Sequence, residues 1–174
     1  LTQRVGLTDI TVDYSRPGVK DREIFGDLVP FENLWRTGAN KATAISFNTP
    51  VMFGENKVEA GTYSIFTIPG ESTWVIILNK NTELWGTDGY DEEMDVLRME
   101  VAAMDVKMTE TFTIDFQNIM DGKAEMLITW ANQQVSIPLE VDVAAKAKAN
   151  IEVALRTAEK EDLWRVNRNA AVYY

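Results

Sequence analysis

From Thr8 to Leu139 apolar residues recur mainly at every second position, in short runs broken by Gly, Pro, Asn and Asp, and this alternation constrains the fold more than any other feature of the chain. A strand points successive side chains to opposite faces, so the pattern marks segments with one face buried and one wet. In Thr111–Ile119, the residues Phe112, Ile114 and Phe116 are expected on the core face, with Thr111, Thr113, Asp115 and Gln117 outside. Asp121-Gly122 then predicts a turn. The next segment puts Ala124, Met126, Ile128 and Trp130 on one face. Asn132-Gln133 predicts a second tight turn before Val135, Ile137 and Leu139 alternate again, so the three segments read as a meander.

Upstream, Tyr63–Ile68 and Thr73–Asn79 flank Pro69-Gly70-Glu71-Ser72, whose Pro and Gly suit a hairpin loop. Trp74–Leu78 is apolar throughout, which places it centrally with both faces covered. Further strands are expected at Thr8–Tyr14, Thr43–Asn48, Val51–Phe53, Lys57–Glu59 and Val96–Met104. About nine short strands on this spacing predict a mainly β protein, an antiparallel, jelly-roll-like β-sandwich of two packed sheets rather than a closed barrel.

After Leu139 the period changes. Ala144–Lys160 is rich in Ala, Lys and Glu, lacks Gly and Pro, and places Ala147, Ile151, Ala154, Leu155 and Ala158 on one helical face. A second helical stretch, Leu163–Tyr174, follows a charged Glu161-Asp162 break and ends on Ala170, Ala171, Val172, Tyr173 and Tyr174. The expected division is a β-sandwich domain over residues 1–140 and a C-terminal helical extension over 141–174. The apolar ending predicts a helical hairpin that continues or pairs, with a protein partner or by self-association.

Composition removes whole classes of function. At 174 residues the chain can bury one full-sized core. Its longest uncharged apolar run is Trp74–Leu78, far short of the ~20 residues a membrane-spanning helix needs. Absence of cysteine excludes disulfides, thiol catalysis and Cys-ligated metals. Absence of histidine excludes Ser-His-Asp chemistry and the common zinc triads. A net charge of −10 repels polyanions, so nucleic acid is not an expected partner.

Several long motifs carry a resemblance. They are Tyr14-Ser15-Arg16-Pro17, the run from Ile24 to Pro30, Leu34-Trp35-Arg36-Thr37-Gly38-Ala39-Asn40, Ala60-Gly61-Thr62-Tyr63-Ser64, Phe66-Thr67-Ile68-Pro69-Gly70, Trp74 with Ile77, Leu78 and Asn79, and Trp85-Gly86. On these residues the chain resembles the bacterial family called domain of unknown function 2911. The resemblance implies a secreted or periplasmic, β-rich protein with a C-terminal helical segment similar to tetratricopeptide repeats. It implies no activity.

The most suggestive candidate site is Trp35–Asn40, where Arg36 supplies a guanidinium fork, Thr37 a hydroxyl, Gly38 flexibility and Asn40 an amide. Such a set can hold a carboxylate, phosphate or sugar. Tyr14 and Arg16 join it if two strand ends meet. The competing expectation is that Arg16 and Arg36 pair with Asp27 or Glu32, or bond loop carbonyls, and fix the long Pro17–Asn40 connection. That connection holds Phe25, Leu28, Val29, Phe31, Leu34 and Trp35, which predicts a plug over the sandwich, alone or with a pocket beneath. Tyr63 is a further candidate through its hydroxyl, and Trp85 through sugar stacking beside the acidic Asp88–Asp95 loop. The plainer expectation for that loop is an exposed acidic face with Trp85 packed on the sheet, since its spacing is not that of an EF-hand. No catalytic residue, metal site or cofactor is expected.

The function these features favour is a non-catalytic module in the cell envelope that binds a small molecule or glycan, or a protein. The alternative is a carboxylate-dependent hydrolase acting on carbohydrate, for which no particular pair of acids stands out.

Overall fold

The structure, a computed structural model, describes residues 1–173. Nine strands, β1 (Thr2–Val5), β2 (Thr8–Asp13), β3 (Thr43–Phe47), β4 (Val51–Phe53), β5 (Asn56–Val58), β6 (Gly61–Ile68), β7 (Thr73–Asn79), β8 (Asp95–Met120) and β9 (Lys123–Val141), precede two helices, α1 (Val143–Thr157) and α2 (Leu163–Tyr173). The strands form one antiparallel sheet in the order β1-β2-β3-β6-β7-β8-β9-β4-β5. Mainly β, antiparallel, with a closing helical pair, is the class that the alternation predicts. The hydrogen bonding makes a continuous sheet rather than two separate ones, and its mostly sequential neighbours give no support to a jelly-roll-like order.

Two strands are long, which the sequence pattern does not foretell. β8 pairs with β7 through Ala102 and with β9 from Ala103 onward, so one strand serves both halves of the sheet. Register shifts between Asp105 and Thr109 and between Thr109 and Thr113 bend it at the handover. The tight turn expected at Asn132-Gln133 is absent. β9 runs straight through it, with Gln133 opposite Asp105, and the irregularity is taken up at Ala131, whose φ is 49°. Expected strands at Val96–Met104 and Thr111–Ile119 are thus two ends of β8. By bending, the sheet wraps both sides of one core, in which Phe112, Ile114 and Phe116 point inward as their alternation requires.

The Pro17–Asn40 connection is a plug. Val19, Ile24, Phe25, Val29 and Trp35 are buried in the main core. Phe25 meets Trp74 at 5.1 Å between ring centroids, and Trp35 lies on Trp130 at 5.8 Å with planes only 16° apart. Phe112 sits edge-on to Trp35 at 5.4 Å. Aromatic pairs in these geometries contribute about 0.5–1.5 kcal/mol each beyond their buried area. The segment 34–36 also runs beside β6, with Trp35 N donating to Thr67 O at 2.7 Å and Thr67 N returning to Trp35 O at 2.9 Å.

β7 is covered on both faces, as its unbroken apolar run predicts. Trp74, Ile76 and Leu78 face the main core, and Ile77 packs on the outer face with Phe66 and Ala42 under Leu34, Leu84 and Tyr90. At the other end of the chain Asp142 caps α1, its carboxylate accepting from Ala145 N at 2.8 Å. Ala147 is buried and Ile151, Ala154, Leu155 and Ala158 are half-buried, the face expected from their spacing. Of the apolar ending, Tyr174 and the side chains of Val172 and Tyr173 lie outside the described residues.

Candidate functional site

Tyr14 and Arg16 lie where β2 ends, and both turn to β8. The Tyr14 hydroxyl donates to Ile114 O and accepts from Ile114 N, each at 3.2 Å. Arg16 Nε donates to Phe112 O at 3.2 Å, and its terminal nitrogen donates to Thr113 Oγ1 at 2.9 Å. Two candidate ligand contacts therefore spend their polar atoms on an irregular part of β8, binding carbonyls rather than the acids Asp27 or Glu32.

Arg36 differs. Trp35 is in the main core and Leu34 packs on the outer-face cluster, so the pleat puts Arg36 with Leu34 on the outer face. Its Nε is buried without a hydrogen-bond partner, and no carboxylate among the described residues pairs with it. A desolvated charge-bearing donor left unmade costs about 1–3 kcal/mol or more. Residues that follow are strained. Thr37 has φ 55° and Asn40 has φ 63°, left-handed values that a β-branched residue such as Thr rarely adopts. Thr37 is held there by full burial, by its hydroxyl on Thr67 Oγ1 at 3.1 Å, and by its carbonyl accepting from Thr43 Oγ1. Asn40 is exposed, and its side chain makes one long hydrogen bond, Nδ2 donating to Ser15 Oγ at 3.4 Å.

The same loop meets Trp85. Lys41 and Trp85 form an isolated antiparallel bridge, Ala42 N donates to Leu84 O at 3.0 Å, and Gly86 N donates to Asn40 O at 3.1 Å. Trp85 is 70% exposed, not packed on the sheet as expected. Asn40, Lys41, Leu84 and Trp85 are thus joined through their backbones, and Arg36 meets the start of β3 through its carbonyl, which accepts from Thr43 N at 3.2 Å. The 80–94 loop is tied to β8 by Asp95, which accepts from Tyr90 Oη at 2.6 Å, Asn79 Nδ2 at 2.8 Å and Arg98 at 3.0 Å. Burial, then the hydrogen bond to Asp95, pushes the Tyr90 phenol well above its ordinary range.

Tyr63 is not part of this group. It stacks on Phe47 and donates to Glu59 O at 2.8 Å, four residues and so ~13 Å along β6 from Thr67. The concavity of about 620 Å³ between β4 and the β8–β9 turn is lined by Asp121, Glu125 and Glu140 among others, and Lys123 pairs with Glu140 there at 3.6 Å. Among the described residues no cluster of acids is arranged to hold a metal ion.

A family model described as "Protein of unknown function (DUF2911)" matches residues 1–139. The chain belongs to this family. No curated protein and no solved structure matches it. In this DUF2911 chain the matched span ends two residues short of the end of β9, so both helices lie beyond it. No helix among the described residues is long and apolar enough to cross a membrane. Sequence reasoning missed Lys41 and the Tyr90–Asp95–Arg98 ties in this DUF2911 fold. The i, i+3 spacing of Asp95 and Arg98 was the one available signal for the latter.

Proposed function

We propose that the chain is a non-catalytic binding module of the cell envelope or exterior, taking an acidic saccharide on the outer surface formed by Arg36, Asn40, Lys41 and Trp85. The observation that carries this reading is the buried, unpartnered Nε of Arg36. A guanidinium whose Nε is out of water and which meets no protein anion attracts a carboxylate, which its terminal nitrogens can hold in parallel hydrogen bonds. Trp85, largely exposed and bridged to Lys41, offers a flat face to the C–H surface of a sugar ring. Lys41 adds a second cation, with its ammonium shared with Glu83 at 3.1 Å. Strain at Thr37 and Asn40 is what a preorganised binding loop stores.

Titration calorimetry of saccharides that carry a single uronic acid, against their neutral counterparts, tests this. Binding of the acidic series, weakened at least about tenfold by Arg36→Ala and by Trp85→Ala, is the expected result, since each removes a principal contact. Equal binding of neutral and acidic series, or binding untouched by Arg36→Ala, sinks the reading.

A further inference from the structure

The helical hairpin leaves an apolar groove of about 500 Å³, lined mainly by Leu7, Val143, Ala147, Ile151, Ala154 and Val166. Beside it, across the shared Val143, stands a knob at the β8–β9 turn, where Ile119 is 42% and Met120 71% exposed. The two are held in fixed relation. A Cβ on Gly122 would lie 2.8 Å from Val143 Cγ2 and 2.9 Å from Val141 O, so the turn and the start of α1 pack with no space between them. Gly122 also carries φ 80° and accepts from Val141 N at 2.8 Å.

Charge is divided the same way. Residues 143–174 hold six Lys and Arg against four Asp and Glu, a net +2, whereas residues 1–142 hold eleven against twenty-three, a net −12. Around the knob stand Asp121, Glu125 and Glu140 with Lys123 alone opposing them. On α1, Lys146 and Lys148 lie one position either side of the buried Ala147, about 100° round the helix, and so flank the groove. An acidic knob and a basic-rimmed groove therefore lie side by side on one surface.

From this arrangement we infer that the groove is filled by a second copy of the chain, in a two-fold dimer where Met120 of each protomer enters the other's groove. A two-fold interface is self-complementary, so a patch carrying both a knob and its socket closes on itself in a single step. Each crossing buries an exposed Met and sets the acids of one turn against the lysines of the other protomer's α1. Basic helices then meet acidic turns, which no parallel stacking of identical patches achieves.

Sedimentation of the full chain over a concentration series is the test. A dimer that Met120→Asp weakens at least about tenfold is expected, and because Met120 is exposed the substitution leaves the fold intact. Ile151→Lys in the groove should weaken it likewise, with circular dichroism confirming helical content. Mixing the two variants should restore a heterodimer, since one crossing is then wild type and the other sets the introduced carboxylate on the introduced ammonium. A wild-type chain that stays monomeric at every concentration overturns the inference, as does a dimer indifferent to Met120→Asp or a mixture that fails to associate. Neither substituted position touches Arg36 or Trp85, so these outcomes are independent of saccharide binding.

Discussion

The indole N–H of Trp74 donates to the side-chain carbonyl of Gln133 at 3.0 Å, across the core from β7 to β9. Gln133 occupies the position where a turn is expected, and its amide oxygen is the buried partner that keeps β9 running through it. Replacing Gln133 by Leu leaves the Trp74 N–H desolvated and unpaired, at a cost of about 1–3 kcal/mol. Chemical denaturation of Gln133→Leu should show that loss. The double variant Trp74→Phe with Gln133→Leu should cost less than the sum of the two singles, because both ends of one bond are then gone. Strict additivity would falsify the coupling.

Arg16 is expected to matter for stability and not for ligand. Its two hydrogen bonds reach Phe112 O and Thr113 Oγ1, in a stretch of β8 where the ladder to β9 is interrupted. Arg16→Ala should lower the unfolding free energy by about 1–2 kcal/mol, two ordinary bonds' worth, read from the urea midpoint. Saccharide affinity should be unchanged. A variant that loses affinity at full stability would return Arg16 to the binding surface.

How far the sequence discloses this arrangement is clear from β8 and β9. Faces were legible where alternation is unbroken, as at Phe112, Ile114 and Phe116. Continuity was not. Asp105, Lys107 and Glu110 are exposed and hydrophilic in the stretch where β8 changes partners, so the apolar signal lapses although the strand does not. β1 has only four residues, too few to show a period. At the site, residue types were legible and their partners were not. Arg16 bonds a backbone carbonyl 96 residues away, and carbonyls carry no sequence signature.

Alkaline pH should act through Tyr90. Its phenol is raised above the ordinary value of 10.0 by burial and by donation to Asp95. A group whose folded pKa lies above its unfolded one contributes stability that is complete below the unfolded value. That stability is lost as pH rises from there toward the folded value. The melting temperature should therefore fall from about pH 10 upward, and Tyr90→Phe should flatten that limb. An identical alkaline decline in Tyr90→Phe would assign it to other groups.

Arg36 makes the opposite demand from Arg16. A guanidinium with a buried, unpartnered Nε is a burden on the free protein, so an apolar side chain of similar length relieves it. Arg36→Met should raise the stability of the ligand-free chain by about 1 kcal/mol while abolishing saccharide binding, the trade of stability for function that binding sites show. Thermal melts without ligand, followed by calorimetry with it, separate the two effects. A ligand-free chain weakened by Arg36→Met would mean that Arg36 holds the strained Thr37–Asn40 loop in place, and its role would be one of architecture.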